Sequence, residues 1–157
     1  MTTAKIRPAT VLDAEVIAEL HARAWRATYG GAVDADRLDE RLADYPRTWR
    51  ELLADDGGGA ATWLAHRDGA AVGFLRASAV GGGEVRSLRL ESMYLDVDEQ
   101  GSGTADNLMT MALGDAPAFL WVWRDQERAR AFYRRHGFVE DGETGSFETL
   151  PTVRMVR

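Results

Sequence analysis

The segment Gln100-Gly101-Ser102-Gly103-Thr104-Ala105 stands between an apolar run ending at Leu95 and a helical pattern that opens near Gly103. Backbone N–H groups at a helix start have no intrahelical acceptor, and the helix dipole favours an anion there. Glycine removes the Cβ that would hold a phosphate away from the main chain. Residues 100–105 therefore fit a pyrophosphate cradle. Two other readings of the same glycines stand beside it. A dinucleotide fingerprint accounts for Gly101 and Gly103, and Asp125 lies 22 residues past Gly103, near the spacing of a ribose-binding acid. Asp106, however, occupies the place of the third glycine, where a side chain opposes close helix–strand packing. An ordinary strand-to-helix turn is the other reading. A Walker loop is excluded, because no Gly-Lys-Ser/Thr follows.

Composition removes other chemistries. Cysteine is absent, which excludes a disulfide framework, a cysteine-based zinc site and a cysteine nucleophile. The three histidines, His21, His66 and His136, lack metal-ligand spacing, so no metal is expected. The chain of 157 residues carries 19 basic and 25 acidic residues, a net charge of −6, which opposes a broad nucleic-acid-binding face. No apolar run reaches the roughly 18 residues of a membrane span. The start, Lys5-Ile6-Arg7-Pro8, carries no apolar signal region, so a cytoplasmic location is expected. The length suits one domain, 1–157, able to bury its own core.

The positioning elements follow from periodicity. Lys5–Thr10 predicts a first strand, and Thr10 or Asp13 a cap for a helix reaching Tyr29. Val16, Ile17, Leu20, Ala24 and Trp25 recur at helical spacing on its inner face. Asp36–Ala54 predicts a second helix, broken or kinked at Pro46. Two β-like runs flank Asp68-Gly69, a hairpin signal. Val85–Leu95 predicts a long fourth strand. On it Arg89, Glu91 and Met93 share one face by alternation, and Leu90, Ser92 and Tyr94 the other. A helix from Gly103 to Leu113 turns Leu108, Met111 and Ala112 inward. Phe119–Trp123 is a fifth strand, with Trp121 and Trp123 on one face. Gln126–His136 is a further helix ended by Gly137, and Phe138-Val139 and Val153–Val156 are closing strands. Helices alternating with hairpins indicate an α/β layer fold with a mixed sheet.

A second motif narrows these readings. Gln126, Ala129, Phe132, Tyr133, Gly137 and Phe138 are spaced as Asn-x-x-Ala-x-x-Phe-Tyr-x-x-x-Gly-Phe, with glutamine in the first place. Together with Gln100-Gly101-Ser102-Gly103-Thr104-Ala105, standing 26 residues earlier, the chain resembles the GNAT family of N-acetyltransferases. The element order agrees over nearly the whole length. Val97 stands where many relatives carry proline. The resemblance implies a GNAT fold: a mixed, mostly antiparallel sheet of six to seven strands with about four helices, its fourth and fifth strands splayed.

It also implies acetyl-CoA as co-substrate, no metal, and direct attack by a small-molecule or peptide amine. An alkyl amine with pKa near ~10.4 is almost wholly protonated at pH 7, so a base must take a proton. Tyr133 matches the family's general acid, facing the sulfur. In some relatives a glutamate on the fourth strand relays the amine proton. Counting back from Gln100, that place is Arg89 here, and Glu91, two residues later, is the base expected. The main chain of Met93, Leu95 and Val97 would bond the pantetheine amides, and the Leu95 N–H would serve as oxyanion donor. Amides from Gln100 through Gly101, Ser102, Gly103 and Thr104 to Ala105 would hold the pyrophosphate. Gln126 and Ala129 would border the pantetheine and Phe132 the adenine side. Arg130, Arg134 and Arg135 form a basic stretch, read as a solvated face rather than a 3′-phosphate site. Segments 25–49 and 141–152 would line the acceptor pocket. There Trp25, Tyr29, Tyr45 and Trp49 are walls or core, and Asp141, Glu143 and Glu148 are either isolated surface carboxylates, the default reading, or acids that attract a cationic amine. The acceptor is not specified, and a homodimer stays open. A non-catalytic acyl-CoA sensor or interaction module is the competing function, and neither nucleic acid nor membrane is expected as a partner.

Overall fold

The computed structural model describes residues 3–157; Met1 and Thr2 lie outside the described residues. Strand β1 is Lys5–Pro8, followed by a 3-10 turn at Val11–Asp13 and helix α1, Ala14–Tyr29. Thr10 and Asp13 form a capping box at that turn, and Asp13 also takes a bidentate bond from Arg7 (2.8 and 2.8 Å). Ile17, His21, Trp25 and Tyr29 recur every four residues, so one stripe of α1 faces the sheet. Val16, expected inside, is 38% exposed because it falls off that stripe. The expected second helix is two: α2, Ala35–Ala43, and α3, Tyr45–Asp55. Pro46 sits in the first turn of α3, where its missing N–H costs no hydrogen bond. Among the described residues there are therefore five α-helices, against about four expected.

Strands β2, Ala60–Arg67, and β3, Ala70–Ala79, form the hairpin, with Asp68 and Gly69 both at positive φ. Then come β4, Leu88–Leu95, a 3-10 turn at Val97–Glu99, and α4, Thr104–Leu113. On α4, Leu108 and Met109 are buried while Met111, expected inside, is 49% exposed. Strand β5, Phe119–Trp123, helix α5, Glu127–Arg135, and the hairpin β6, Val139–Phe147, with β7, Leu150–Val156, complete the chain. The seven strands lie in the order β1-β2-β3-β4-β5-β7-β6. Only β4 and β5 are parallel, and they pair at a single position, Arg89 with Phe119. Beyond it the two strands part. Helices α1–α3 bury Ile17, Leu20, Trp25 and Trp49 against one sheet face, on Leu64 and Phe74. Helices α4 and α5 bury Leu108, Met109 and Tyr133 against the other, on Leu75, Leu90 and Leu120. No helix among the described residues is long and apolar enough to cross a membrane.

The alternation expected along β4 fails at one residue. Arg76 pairs with Ser92 and Ala77 with Leu90, so Glu91 is an extra residue bulged out of the ladder. The parity of the strand inverts there. Leu90 and Met93 join the core under α4 and α5, whereas Arg89, Glu91, Ser92 and Tyr94 line the cavity under α1. Met93 therefore does not share a face with Arg89 and Glu91.

Candidate active site

The turn after β4 is tied down from within. Buried Glu99 accepts from both ends of the Arg67 guanidinium (2.8 and 3.0 Å), from Ser102 Oγ (3.0 Å) and from Thr104 Oγ1 (3.1 Å). The Arg67 bond, with the two hydroxyls, holds the Glu99 carboxyl down at about 2. Gly101 and Gly103 adopt φ of 82° and 89°, and a Cβ at either would meet nothing within 4 Å. Glycine is thus required by backbone conformation, and the space before it is open.

Not all amides of this turn face out. The Gln100 N–H donates to Val97 O, the Ser102 N–H to Glu99 O and the Thr104 N–H to Ser102 Oγ. The N–H groups of Gly101, Gly103, Ala105 and Asp106 have no partner among the described residues. The expected cradle of consecutive amides is instead an alternating one that begins at Gly101 and extends to Asp106. Thr104 is turned inward and is 2% exposed. A cavity of about 560 Å³ opens in front of the turn, bordered by Met93, Leu95, Gln100 to Gly103, Gln126, Ala129, Phe132 and Tyr133. Val97 lies outside it, at the rim of a neighbouring groove beside α1.

The basic stretch on α5 divides in two. Arg130 is bonded to Glu140 and Glu127, and Arg134 to Glu140. Arg128 and Arg135 have no ion-pair partner among the described residues, and both border the cradle. Arg128 went unremarked in the sequence because nothing in a helical Arg-rich run tells which members meet a carboxylate.

The split between β4 and β5 joins this cradle to a second chamber. A passage of about 90 Å³ is lined by Glu91, Ser92, Met93, Tyr94, Trp121, Gln126, Ala129 and Tyr133. The Asp96 N–H donates to Val72 O on the β3 side. By strand alternation the Leu95 and Met93 amides point the other way, into the split. Tyr133 borders both passage and cradle, and burial pushes its phenol well above the ordinary range. Burial likewise raises Tyr94 and Tyr29 and lifts Tyr45 to about 12. All four phenols are neutral at working pH.

The second chamber, about 470 Å³, is walled by His21, Trp25, Tyr29, Tyr45, Trp121, Trp123 and Phe147, with Arg41, Arg89 and Glu91 among its charges. Trp49 does not line it and is core. The expected acids are not free in it. Asp141 is paired with Arg154, and Glu148 with Arg37 and Arg41. Glu143 is not on the wall. Glu91 Oε2 accepts from Arg76 Nε (2.7 Å), and Arg76 is buried between Glu91, Asp56 and Thr62. Arg41 stacks over Trp25 and Phe147 (4.8 and 4.5 Å). His21 was missed by sequence reading, although its place on the α1 stripe is a usable signal. Its two ring nitrogens lie 3.1 and 3.0 Å from the Trp25 and Trp49 indole N–H groups, of which a neutral imidazole accepts only one. Burial, aided by Arg41, lowers its pKa to about 3, so it stays neutral.

A mixed sheet opened between two parallel strands, with a bare-amide turn at one end of the gap, defines the acetyltransferase class of α/β enzymes. The chain belongs to the GNAT acetyltransferase family: the model of the Acetyltransferase (GNAT) domain matches residues 58–140, just over half of its length. It is 26% identical over 160 residues to the Probable N-acetyltransferase Rv2775 of Mycobacterium tuberculosis (strain ATCC 25618 / H37Rv), covering 96% of this chain and 88% of that protein. Its fold matches the PaiA N-acetyltransferase of Thermoplasma acidophilum, a structure in complex with coenzyme A, with a TM-score of 0.81 at 16% identity over 98% of both chains. It also matches the apo form of YjaB from Escherichia coli, with a TM-score of 0.71 at 22% identity over 99% of this chain and 97% of that one.

Proposed function

We propose that the protein transfers an acetyl group from acetyl-CoA to a primary amine by direct attack across the β4/β5 split. The observation that carries this is the continuity of the three spaces: the cradle, the passage and the aromatic chamber share lining residues, with Tyr94 common to all. The residues present suit the nucleotide. The four unpartnered amides at Gly101, Gly103, Ala105 and Asp106 would hold the pyrophosphate, and Arg128 and Arg135 would meet phosphate charge. The main chain of Met93 and Leu95 would take the pantetheine amides, with Gln126, Ala129 and Phe132 along its other side. The family relationship and the coenzyme A bound by the Thermoplasma neighbour support an acyl-CoA donor.

The thioester supplies an activated carbonyl to the amine. In this reading the Leu95 N–H stabilises the charge that develops on the carbonyl oxygen. Tyr133 O–H gives a proton to the leaving sulfur. Glu91 Oε2 is committed to Arg76, which leaves Oε1 to take the amine proton, directly or through one water. Glu91→Gln keeps an acceptor for Arg76 and removes the base. It is expected to lower kcat/KM at pH 7 by roughly 10²-fold or more, with recovery at alkaline pH as free amine accumulates. Full activity with an unchanged pH profile would remove Glu91 from the reaction.

Titration calorimetry with coenzyme A tests the donor site directly. Saturable binding is expected, weakened about tenfold or more in Arg128→Ala/Arg135→Ala, since charge-assisted bonds are each worth about 1.5–3 kcal/mol. Absence of heat with the wild-type protein, beside no thiol release from acetyl-CoA with any amine, would overturn the proposal.

A further inference from the structure

Among the described residues, four buried side-chain polar atoms lack a hydrogen-bond partner: Asp56 Oδ2, Arg67 Nη1, Arg89 Nε and Trp123 Nε1. The first two belong to side chains already satisfied elsewhere, by Arg76 and by Glu99. The last two belong to side chains on the wall of the aromatic chamber, and both are donors shielded from solvent at that atom. An indole N–H and a guanidinium have no acceptor capacity, so neither can serve the other. Arg89 also has no ion-pair partner among the described residues. The other two charges on this wall are already answered, Glu91 by Arg76 and Arg41 by Glu148.

Arg89 is half-buried; its Nε is shielded, and its terminal Nη groups, which donate to nothing among the described residues, are what a ligand in the chamber can meet. An unpaired cation on a partly desolvated wall favours an anionic partner. What the chamber lacks is an anionic acceptor. We infer that the amine acetylated here carries a carboxylate, received by the unpaired guanidinium of Arg89: the acceptor is an apolar or aromatic amino carboxylate of the size of an amino acid. This deepens the acetyl-transfer reading and rests on it. The walls suit such a body. Trp25, Trp121 and Phe147 offer flat apolar surface, and about 470 Å³ holds a single amino-acid-sized molecule. The opposite chemistry is poorly served. A polyamine entering the chamber would meet Arg41 and Arg89, and the sole carboxylate on the described wall, Glu91, is engaged by Arg76. The order along β4 orients the ligand: Glu91 lies nearer the passage, which Arg89 does not line, so the amine leads and the carboxylate trails.

The test uses phenylalanine, phenylalaninamide and phenethylamine, titrated by calorimetry into the protein saturated with coenzyme A. Phenylalanine is expected to bind roughly 10- to 100-fold tighter than the other two, the span of a hydrogen-bonded charge pair. Arg89→Met should abolish the preference, and Arg89→Lys should retain part of it, because a point charge replaces a fork. Equal affinities, tighter binding of phenethylamine, binding by none of the three, or a preference surviving in Arg89→Met overturns the inference. Should Arg89→Met fail to fold, the wild-type ranking and the Arg89→Lys protein decide. Thiol release from acetyl-CoA, measured in parallel, separates the two levels. Turnover of phenethylamine with no carboxylate preference defeats the inference and spares acetyl transfer. A carboxylate preference without turnover of any amine defeats acetyl transfer and leaves the subsite standing.

Discussion

Tyr133→Phe is expected to lower kcat by roughly 10²- to 10⁴-fold, the range of a lost general acid, with coenzyme A affinity nearly unchanged. The phenol borders the cradle and the split at once, where a leaving sulfur would lie. Its burial disfavours the phenolate, so the proton is present throughout the working range. The ring itself is held by Phe132 and Phe138, with centroids 5.6 and 6.1 Å away, and phenylalanine keeps both contacts. The substitution therefore removes one proton donor and little packing. Steady-state thiol release measures the rate, and calorimetry the binding. A variant with wild-type kcat across pH would exclude Tyr133 from the chemistry.

Glu99→Ala is expected to act on stability and on donor binding together. It leaves Arg67, whose side chain is 13% exposed, without its carboxylate, and it unpins Ser102 and Thr104. Removing one partner of this pair is destabilising, because the other charge loses its counter-ion. A fall in Tm of a few °C is expected. With the turn released, the amides of Gly101 and Gly103 lose their fixed direction, and coenzyme A affinity should fall more than tenfold, beyond what the loss of Tm accounts for. The pH dependence has a definite sign. The Glu99 carboxyl is held at about 2 in the folded protein, below its ordinary 4.5. Its contribution is fully present above about pH 4.5 and is lost as pH falls towards 2. The stability gap between wild type and Glu99→Gln should accordingly be flat from pH 7 to 5 and close between about 4.5 and 2. Thermal melts across that window check it. Equal melting and equal coenzyme A binding in Glu99→Ala would show that the turn holds itself.

Much of the site was legible because it is made of local patterns. The glycine pair at 101 and 103 has to stand before a helix to expose amides, and the Gln126-to-Phe138 spacing belongs to one helix and its stop. The hairpin at Asp68-Gly69 and the break at Pro46 are equally local, since each depends on the backbone freedom of one or two residues. Where reading failed, the missing information was long-range. The bulge at Glu91 exists only because β3 skips a residue when it pairs with β4, and alternation within one strand cannot foresee it. The acids Asp141 and Glu148 looked available as single residues. Each meets an arginine far off in sequence, Arg154 and Arg37 among them.

The amino-acid order alone settled the class of fold, the glycine turn before α4 and the helix that carries Tyr133, because helix starts, glycine conformations and apolar periods are fixed by residues a few places apart. Tertiary structure decided which charges are spent and which are left over. Arg130 and Arg134 are neutralised while Arg128 and Arg135 are not; Glu91 is engaged while Arg89 is bare. Ion pairing and burial depend on distances across the sheet, and those distances arise only when β4 and β5 part and the helices close over them.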